Sequence, residues 1–183
     1  EEIVVNIHHL ANQIEKFISD FKSRAKIKIS NEKDLLLDTG GGVKKGTKEF
    51  NDNPFFVINP DTLWSNKYSE EVQSLEKEYF INKRPCLLLV KKELSLDNSF
   101  KGDFNLKNNL ISKDEHNQFI FTGLQIMKND HLAFFNKNIF SMNEVWTKLI
   151  SEKNLGGLES NQKFYHLNTL EMFEKISSLS SID

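Results

Sequence analysis

The stretch that most limits what this chain can become runs from Leu35 to Trp64, LLLDTGGGVKKGTKEFNDNPFFVINPDTLW. Phe55, Phe56, Val57 and Ile58 form an apolar run that is followed at once by Asn59, Pro60 and Asp61. A short apolar run closed by a turn reads as a buried strand of a parallel sheet. Such a strand delivers the Asp61 carboxylate at its C-terminal end, the edge at which open α/β sheets bind ligands. Upstream, Asp38 and Thr39 lead into Gly40, Gly41 and Gly42. Backbone without Cβ atoms lets a ligand come close, so the triplet reads as a binding loop.

The flanking sequence keeps this rhythm. Ile3 to Ile7 is strand-like, and Leu10, Ile14, Phe17, Ile18 and Phe21 recur at helical spacing, which predicts a helix crossing back over the sheet. Lys and Ile alternate from Lys26 to Ser30, as in a strand with one wet face. A short helix follows the glycines to Phe50. Ser69 is placed to cap a helix running to Phe80, with Val72, Leu75 and Tyr79 inward. Cys86 to Val90 is another buried strand. Alternation of this kind argues for an α/β sheet with mostly parallel strands.

In the second half, Gly102 to Leu106 and Asn109 to Ile111 read as short strands around an Asn-rich turn. Phe119 to Ile126 is a strand interrupted by Gly123, which marks a bulge or a close ligand approach. Ser141 and Glu144 form a capping box for a helix with Val145, Trp146, Leu149 and Ile150 inward, closed by Gly156 and Gly157. Phe164 to Leu167 is a last short strand. Thr169 caps a terminal helix whose apolar face is Leu170, Phe173, Ile176 and Leu179. With no internal repeat and no linker rich in Pro, Gly or Ser, residues 1–183 are expected to form a single domain.

Composition removes several classes of function. Hydrophobic residues make up 38% and charged residues 27%, an ordinary globular balance. The net charge of -2 gives no basic surface for nucleic acid. No apolar run reaches the roughly 18 residues of a membrane-spanning helix. The single cysteine, Cys86, excludes an internal disulfide, which fits a reducing cytoplasm, and its apolar neighbours make it a core residue.

LLDTGGG followed by PFFVINPD and Trp64 resembles the sugar-1-phosphate nucleotidyltransferases. The nearest branch is that of the N-acetylmuramate 1-phosphate uridylyltransferases and mannose-1-phosphate guanylyltransferase-like proteins, with ETGGG, an apolar strand, then N-G-D and an aromatic residue. EEIVVNIHHLANQIEKFI is similar to the family's second strand and helix, so the likeness covers nearly the whole chain. It implies a Rossmann-like three-layer fold with a mixed, mostly parallel central sheet, in a cytoplasmic protein. It implies a reaction in which a sugar 1-phosphate attacks the α-phosphorus of a nucleoside triphosphate and pyrophosphate leaves, with Mg²⁺ screening the anions. The family's N-terminal glycine-rich loop, with its Arg and downstream Pro-Lys, does not occur here, and Glu1 opens directly onto a strand. Without that loop's strand, Ile3–Ile7 and Phe55–Ile58 would lack a central neighbour. The expectation is pairing with another copy or with a complementary N-terminal fragment; the alternative is a non-catalytic remnant or binding module.

The resemblance also assigns residues. Asp61 matches the Mg²⁺-binding, catalytic Asp, with Pro60 in place of the usual Gly; read alone, it would serve equally as a turn cap. Asp38, Thr39, Gly40 and Gly41 match the loop that holds the nucleotide base. Gly102, Asp103 and Gly123 match positions lining the sugar pocket, and Asn143 and Trp146 match the helix beside it. His166 stands where relatives carry a second metal-binding Asp, in FYHLNTLE against W-x-D-V-G-T-P-E, and imidazole is a poor ligand for Mg²⁺. His8 and His9 follow the first strand; adjacent side chains point apart, so packing or capping is expected of them.

Overall fold

Two parallel strands, β1 (Glu2–Ile7) and β2 (Lys26–Asn31), pair in register from Glu2 opposite Lys26 to Ile7 opposite Asn31, joined by helix α1 (Ala11–Asp20). The coordinates are a computed structural model that describes residues 1–179. The chain gathers into two units: Glu1–Pro54 with Lys128–Lys148, and Phe55–Met127 with the residues from Leu149 onward.

In the first unit, α1 has the helical spacing expected, but its apolar face is only partly covered, with Ala11 buried and Ile14 and Ile18 half-buried. Phe17 is 66% exposed and Phe21 54%, their rings stacked 5.7 Å apart. Two strands give a helix little surface to bury against. Helix α2 (Asp38–Gly46) corrects a second expectation, because the glycine triplet lies within a helix rather than a loop. Glycines inside a helix cost roughly 0.5–1 kcal/mol each relative to Ala. Close packing explains them. A Cβ on Gly40 would lie 2.5 Å from the Phe140 ring, and one on Gly41 would lie 2.1 Å from Asn138 O. On another side of the helix, Gly42 sits against a part-buried pair, where Asn6 Nδ2 donates to the buried Glu32 Oε1 (2.6 Å) and to Gly42 O (2.9 Å).

The second unit holds a six-stranded sheet. Its strands are β3 (Phe55–Ile58), β4 (Cys86–Lys91), β5 (Asn105–Lys107), β6 (Leu110–Ser112), β7 (Phe119–Met127) and β8 (Gly156–Ser160), in the order β3-β7-β4-β8-β6-β5. The α/β class and the mixed sheet are as expected, but a parallel majority is not found. Only β1–β2 and β4–β8 pair in parallel among the described strands. The cause is β7, which runs antiparallel between β3 and β4, and the β5–β6 hairpin, whose turn places Asn108 and Asn109 at φ 52° and 57°. β3 is therefore an edge strand, paired with β7 alone among the described residues, and Ile58 is 56% exposed.

Helix α3 (Tyr68–Asn82) covers this sheet with Tyr68, Leu75 and Tyr79, which pack with Cys86, Leu88, Leu124 and Ile126. Full burial of a side chain such as Leu75 contributes about 1.5–3 kcal/mol. Ser69 is not the cap expected of it; α3 starts one residue earlier and the Ser69 hydroxyl donates to Asn66 O. Helix α4 (Met142–Ser151) opens with the expected capping box, Ser141 N–H donating to Glu144 Oε1 and Glu144 N–H to Ser141 Oγ. Gly156 and Gly157 do not close it. Lys153 takes the left-handed turn at φ 54°, and the two glycines lie in β8, where a Cβ on Gly157 would lie 2.9 Å from Ile111. Phe164–Leu167 makes isolated bridges rather than a strand. Thr169 caps helix α5 (Leu170–Ser177), its hydroxyl accepting Met172 N–H. The buried face of α5 is Met172 and Ile176, while Leu170 and Phe173 are exposed, so the face expected from spacing is only partly right. No helix among the described residues is long and apolar enough to cross a membrane.

Candidate functional site at the end of β3

The chain leaving β3 is tied down almost residue by residue. Asn59 N–H donates to Gly123 O (2.8 Å), and Trp64 Nε1 donates to Asn59 O (3.2 Å). The buried Thr62 hydroxyl donates to Thr122 O (2.8 Å). Leu63 N–H donates to Tyr165 O (2.9 Å), and Leu167 N–H donates to Asp61 O (2.6 Å). Residues 61–63 and 165–167 are thereby zipped together, with an antiparallel bridge between Thr62 and His166.

This zipper sets two side chains against each other: His166 Nε2 lies 3.1 Å from Asp61 Oδ2. The imidazole stacks on Phe164 (centroids 5.9 Å, planes 15° apart) and meets Phe100 at 5.6 Å, which fixes the plane of the ring. Asp61 is 45% exposed and His166 22%, yet Asp61 Oδ1 and His166 Nδ1 are each sealed from solvent without a hydrogen-bond partner. Buried polar atoms are normally satisfied, so these two are exceptions, as are Ser30 Oγ and Arg84 Nε elsewhere among the described residues. Nearby, hydrogen bonds from Ser99 hold the Asp97 carboxyl below its usual range, with smaller contributions from Asn168 and His166.

Gly123 belongs to the same corner. Its φ of +92° favours glycine, and a Cβ there would lie 2.7 Å from Asn59 Cβ. The register between β4 and β7 shifts close by, at Leu87–Leu89. Gly102, also at positive φ (+87°), packs on Asn117, and Asp103 Oδ2 accepts Phe121 N–H at 2.9 Å. Asp103 therefore serves β7 directly.

In the first unit, the residues expected to hold a base are already partnered. Asp38, at φ +61°, accepts Thr39 N–H through Oδ1. Thr39 Oγ1 accepts Met142 N–H (2.8 Å), and the Gly40 and Gly41 amides both donate to Phe140 O (2.9 and 3.0 Å). Asn143, next to Met142, is exposed, and Trp146 is buried. A cavity of about 500 Å³ lies beside α2, lined by Glu32, Leu35, Leu37, Gly41, Lys44 and Lys48 among others. His8 Nδ1 is hydrogen-bonded with Glu32 O (2.7 Å), a tie between the ends of β1 and β2 in keeping with the capping role expected, and His9 is exposed.

The structure thus brings Asp61, His166 and Gly123 into one corner, and Asp38–Gly41 with Asn143 into another. Sequence reasoning missed Phe100 and Thr62, since a lone Phe and a lone Thr carry no pattern. It also missed the Asn6–Glu32 pair; a single acid just after a strand was the available signal. Among the described residues no three His, Cys, Asp or Glu side chains converge to hold a metal. A cation here would take at most two protein ligands, Asp61 and His166. Magnesium commonly binds through one or two carboxylates and completes its shell with phosphates and water, which Asp61 fits and the His166 imidazole does not.

Comparison with known proteins bears on the fold. No protein-family model matches the chain. An N-acetylmuramate alpha-1-phosphate uridylyltransferase from Caulobacter vibrioides is 26% identical over 175 residues, covering 91% of this chain and 72% of its own length. HddC from Yersinia pseudotuberculosis, solved with GMP-PN, superimposes with a TM-score of 0.73 at 18% identity over 94% of this chain and 76% of that one. The inositol-1-phosphate CTP transferase from T. maritima gives 0.71 at 15% identity, covering 97% and 78%. A UDP-glucose pyrophosphorylase solved with UDP-glucose gives 0.72 at 12% identity, covering 97% and 79%. The chain thus has the fold of the sugar-1-phosphate nucleotidyltransferases and is similar in sequence to one of them along nearly its whole length.

Proposed function

We propose that this chain transfers a nucleotidyl group from a nucleoside triphosphate to a sugar 1-phosphate, releasing pyrophosphate. The observation that carries the reading is the Asp61 carboxylate at the end of β3, with one oxygen against His166 and the other sealed and unpartnered. The uridylyltransferase similarity supports it. A phosphate oxygen of the sugar attacks the α-phosphorus, the bond to the β-phosphate oxygen breaks, and pyrophosphate leaves. Such a reaction needs positioning and charge screening more than covalent help from the protein. Asp61 and His166 would hold Mg²⁺ or a similar dication, which when bound screens the phosphates. The zipper of Leu63–Tyr165 and Leu167–Asp61 bonds keeps that carboxylate in place.

Within this reading, Gly123, Gly102 and Asp103 line the sugar side, and the resemblance gives Asn143 of α4 a substrate role as well. Asp38, Thr39, Gly40 and Gly41 hold the base, supported by the lysine-lined cavity that Gly41 borders. The setting is the cytoplasm, and residues 1–183 act as one domain. As the edge strand of its sheet, β3 is the place for an added strand, from a second copy or from a complementary N-terminal fragment.

The test is pyrophosphate release with UTP, GTP and a panel of sugar 1-phosphates, comparing the wild type with Asp61→Asn. Turnover in the wild type that is lost in the variant is expected; no pyrophosphate with any pair sinks the reading. A second reading, a binding module without turnover, is favoured by the internal commitment of the Gly40 and Gly41 amides to Phe140 O. Calorimetric heat with nucleotide and no pyrophosphate would establish it.

A further inference from the structure

We propose that Glu71, on the first turn of α3, is a positioning residue for the Asp61 corner: it fixes the turn at 160–163 and so the placement of His166 beside Asp61. The proposal rests on the role given to Asp61 above and adds what holds that corner in shape.

The turn is held at every residue. Ser160, the last residue of β8, is fully buried, and its hydroxyl donates to both Glu71 oxygens, at 2.8 Å to Oε1 and 2.9 Å to Oε2. Asn161 N–H donates to Glu71 Oε1 (3.3 Å), and Gln162 N–H donates to Ser160 Oγ (3.0 Å). Tyr68, on the same turn of α3, donates its hydroxyl to Lys163 O (3.0 Å). The residues that follow enter the zipper: Tyr165 O accepts Leu63 N–H, and Leu167 N–H donates to Asp61 O. The other side of the zipper reaches the same turn of α3 through Trp64, whose ring meets Tyr68 edge-on with centroids 5.0 Å apart. The first turn of α3 thus braces both sides of the pair.

The chemistry at position 71 calls for a carboxylate. Oε1 accepts from two donors while Oε2 shares the Ser160 hydroxyl, and an amide would put a donor where that second acceptor stands. Burial raises the Glu71 pKa, and the hydrogen bonds from Ser160, Asn161 and Gln162 work against it, so the turn favours the charged form.

The test follows the His166 ring by NMR in the full chain labelled with ¹³C-histidine, its signals assigned by their loss in His166→Gln. Contacts with Phe100 ring protons are expected in the wild type. Glu71→Gln and Ser160→Ala are each expected to shift the ring signals and weaken those contacts, and the double variant to add little more, since both remove one interaction. Where the wild type releases pyrophosphate, Glu71→Gln is expected to lower kcat by up to about 100-fold, the scale of a misplaced group, with KM for the triphosphate unchanged. Unmoved ring signals overturn the proposal whatever happens to stability, and so does a moved ring with unchanged kcat. If both variants fail to fold, hydrogen exchange in the wild type decides. One shared protection factor for the Asn161, Leu63 and Leu167 amides is expected, and opening at Asn161 without the other two overturns the proposal. A moved ring in a chain whose wild type releases no pyrophosphate sinks the transfer reading and leaves the hold of Glu71 on His166 standing.

Discussion

The side-chain oxygen of Thr39 accepts the main-chain N–H of Met142 at 2.8 Å, so a residue beside the glycine triplet caps the start of a helix 103 positions away in the chain. Replacing Thr39 with Val keeps the shape and removes the acceptor, leaving a first-turn amide unmet. Losses of this kind cost about 1 kcal/mol. In a Trp64→Phe background, Trp146 is the remaining tryptophan and sits on that helix. Urea unfolding followed by its fluorescence is expected to show the loss in Thr39→Val and little change in Thr39→Ser.

Gly41 gives a sharper case. Alanine would improve the intrinsic helix propensity of α2 by up to about 1 kcal/mol. Its Cβ, however, would meet a main-chain oxygen, Asn138 O, at 2.1 Å, and main chain does not step aside cheaply. Overpacking costs typically 1–3 kcal/mol, so Gly41→Ala is expected to lower stability despite the better propensity. Gly42→Ala meets only side-chain atoms, the Glu32 carboxylate at 3.0 Å and Asn6 Nδ2 at 3.3 Å, and is expected to be milder. Thermal melts of the two variants check the order.

In the second unit, burial pushes the Cys86 thiol up to about 12, with Glu78 adding to the shift. The residue is fully enclosed beneath α3. A thiol reagent at pH 8 is expected to leave native protein unlabelled and to label it as the sheet opens in urea. Leu75→Ala, which empties the same core, is expected to cost about 2–5 kcal/mol and to bring labelling to lower urea. Rapid labelling of the native protein would show that this core is open.

His131 supplies a pH dependence. Burial holds its pKa below the ordinary 6.5, and its Nδ1 accepts Lys128 N–H at 3.1 Å. As pH falls, the unfolded chain takes up this proton before the folded one does. Stability contributed by the neutral ring is therefore complete above the unfolded value and is lost on acidification. Melting temperature is expected to fall between pH 7 and 5, and His131→Gln is expected to flatten part of that slope. Equal slopes in both proteins would remove His131 from the account.

Several elements were legible because one residue type decides each of them. β3 and β4 are apolar runs too short for helices, the Ser141–Glu144 box fixes the start of α4, and Thr169 caps α5. α2 was hidden because glycine ordinarily signals a loop; only the Phe140 and Asn138 atoms pressed against it reveal why a helix needs glycine there. β8, with the sequence GGLES, shows no apolar alternation, and its glycines are dictated by Arg84 and Ile111. At the candidate site, Asp61 followed from strand and turn. Its neighbour His166 came from the resemblance alone, since a distance of 105 positions leaves no periodic trace. Phe100 surfaced only through the ring it touches.

The open side of β3 has a bearing on handling. Phe-Phe-Val-Ile is uncharged and rich in strand-forming residues, and only its four-residue length keeps it below the roughly six or seven residues of a fibril-forming segment. Pro54 and Pro60 stand at its two ends as gatekeepers that keep the sticky segment short. Shelf life in concentrated solution therefore hangs on those two prolines, and replacing either with a residue that prolongs the strand would turn a clear sample cloudy.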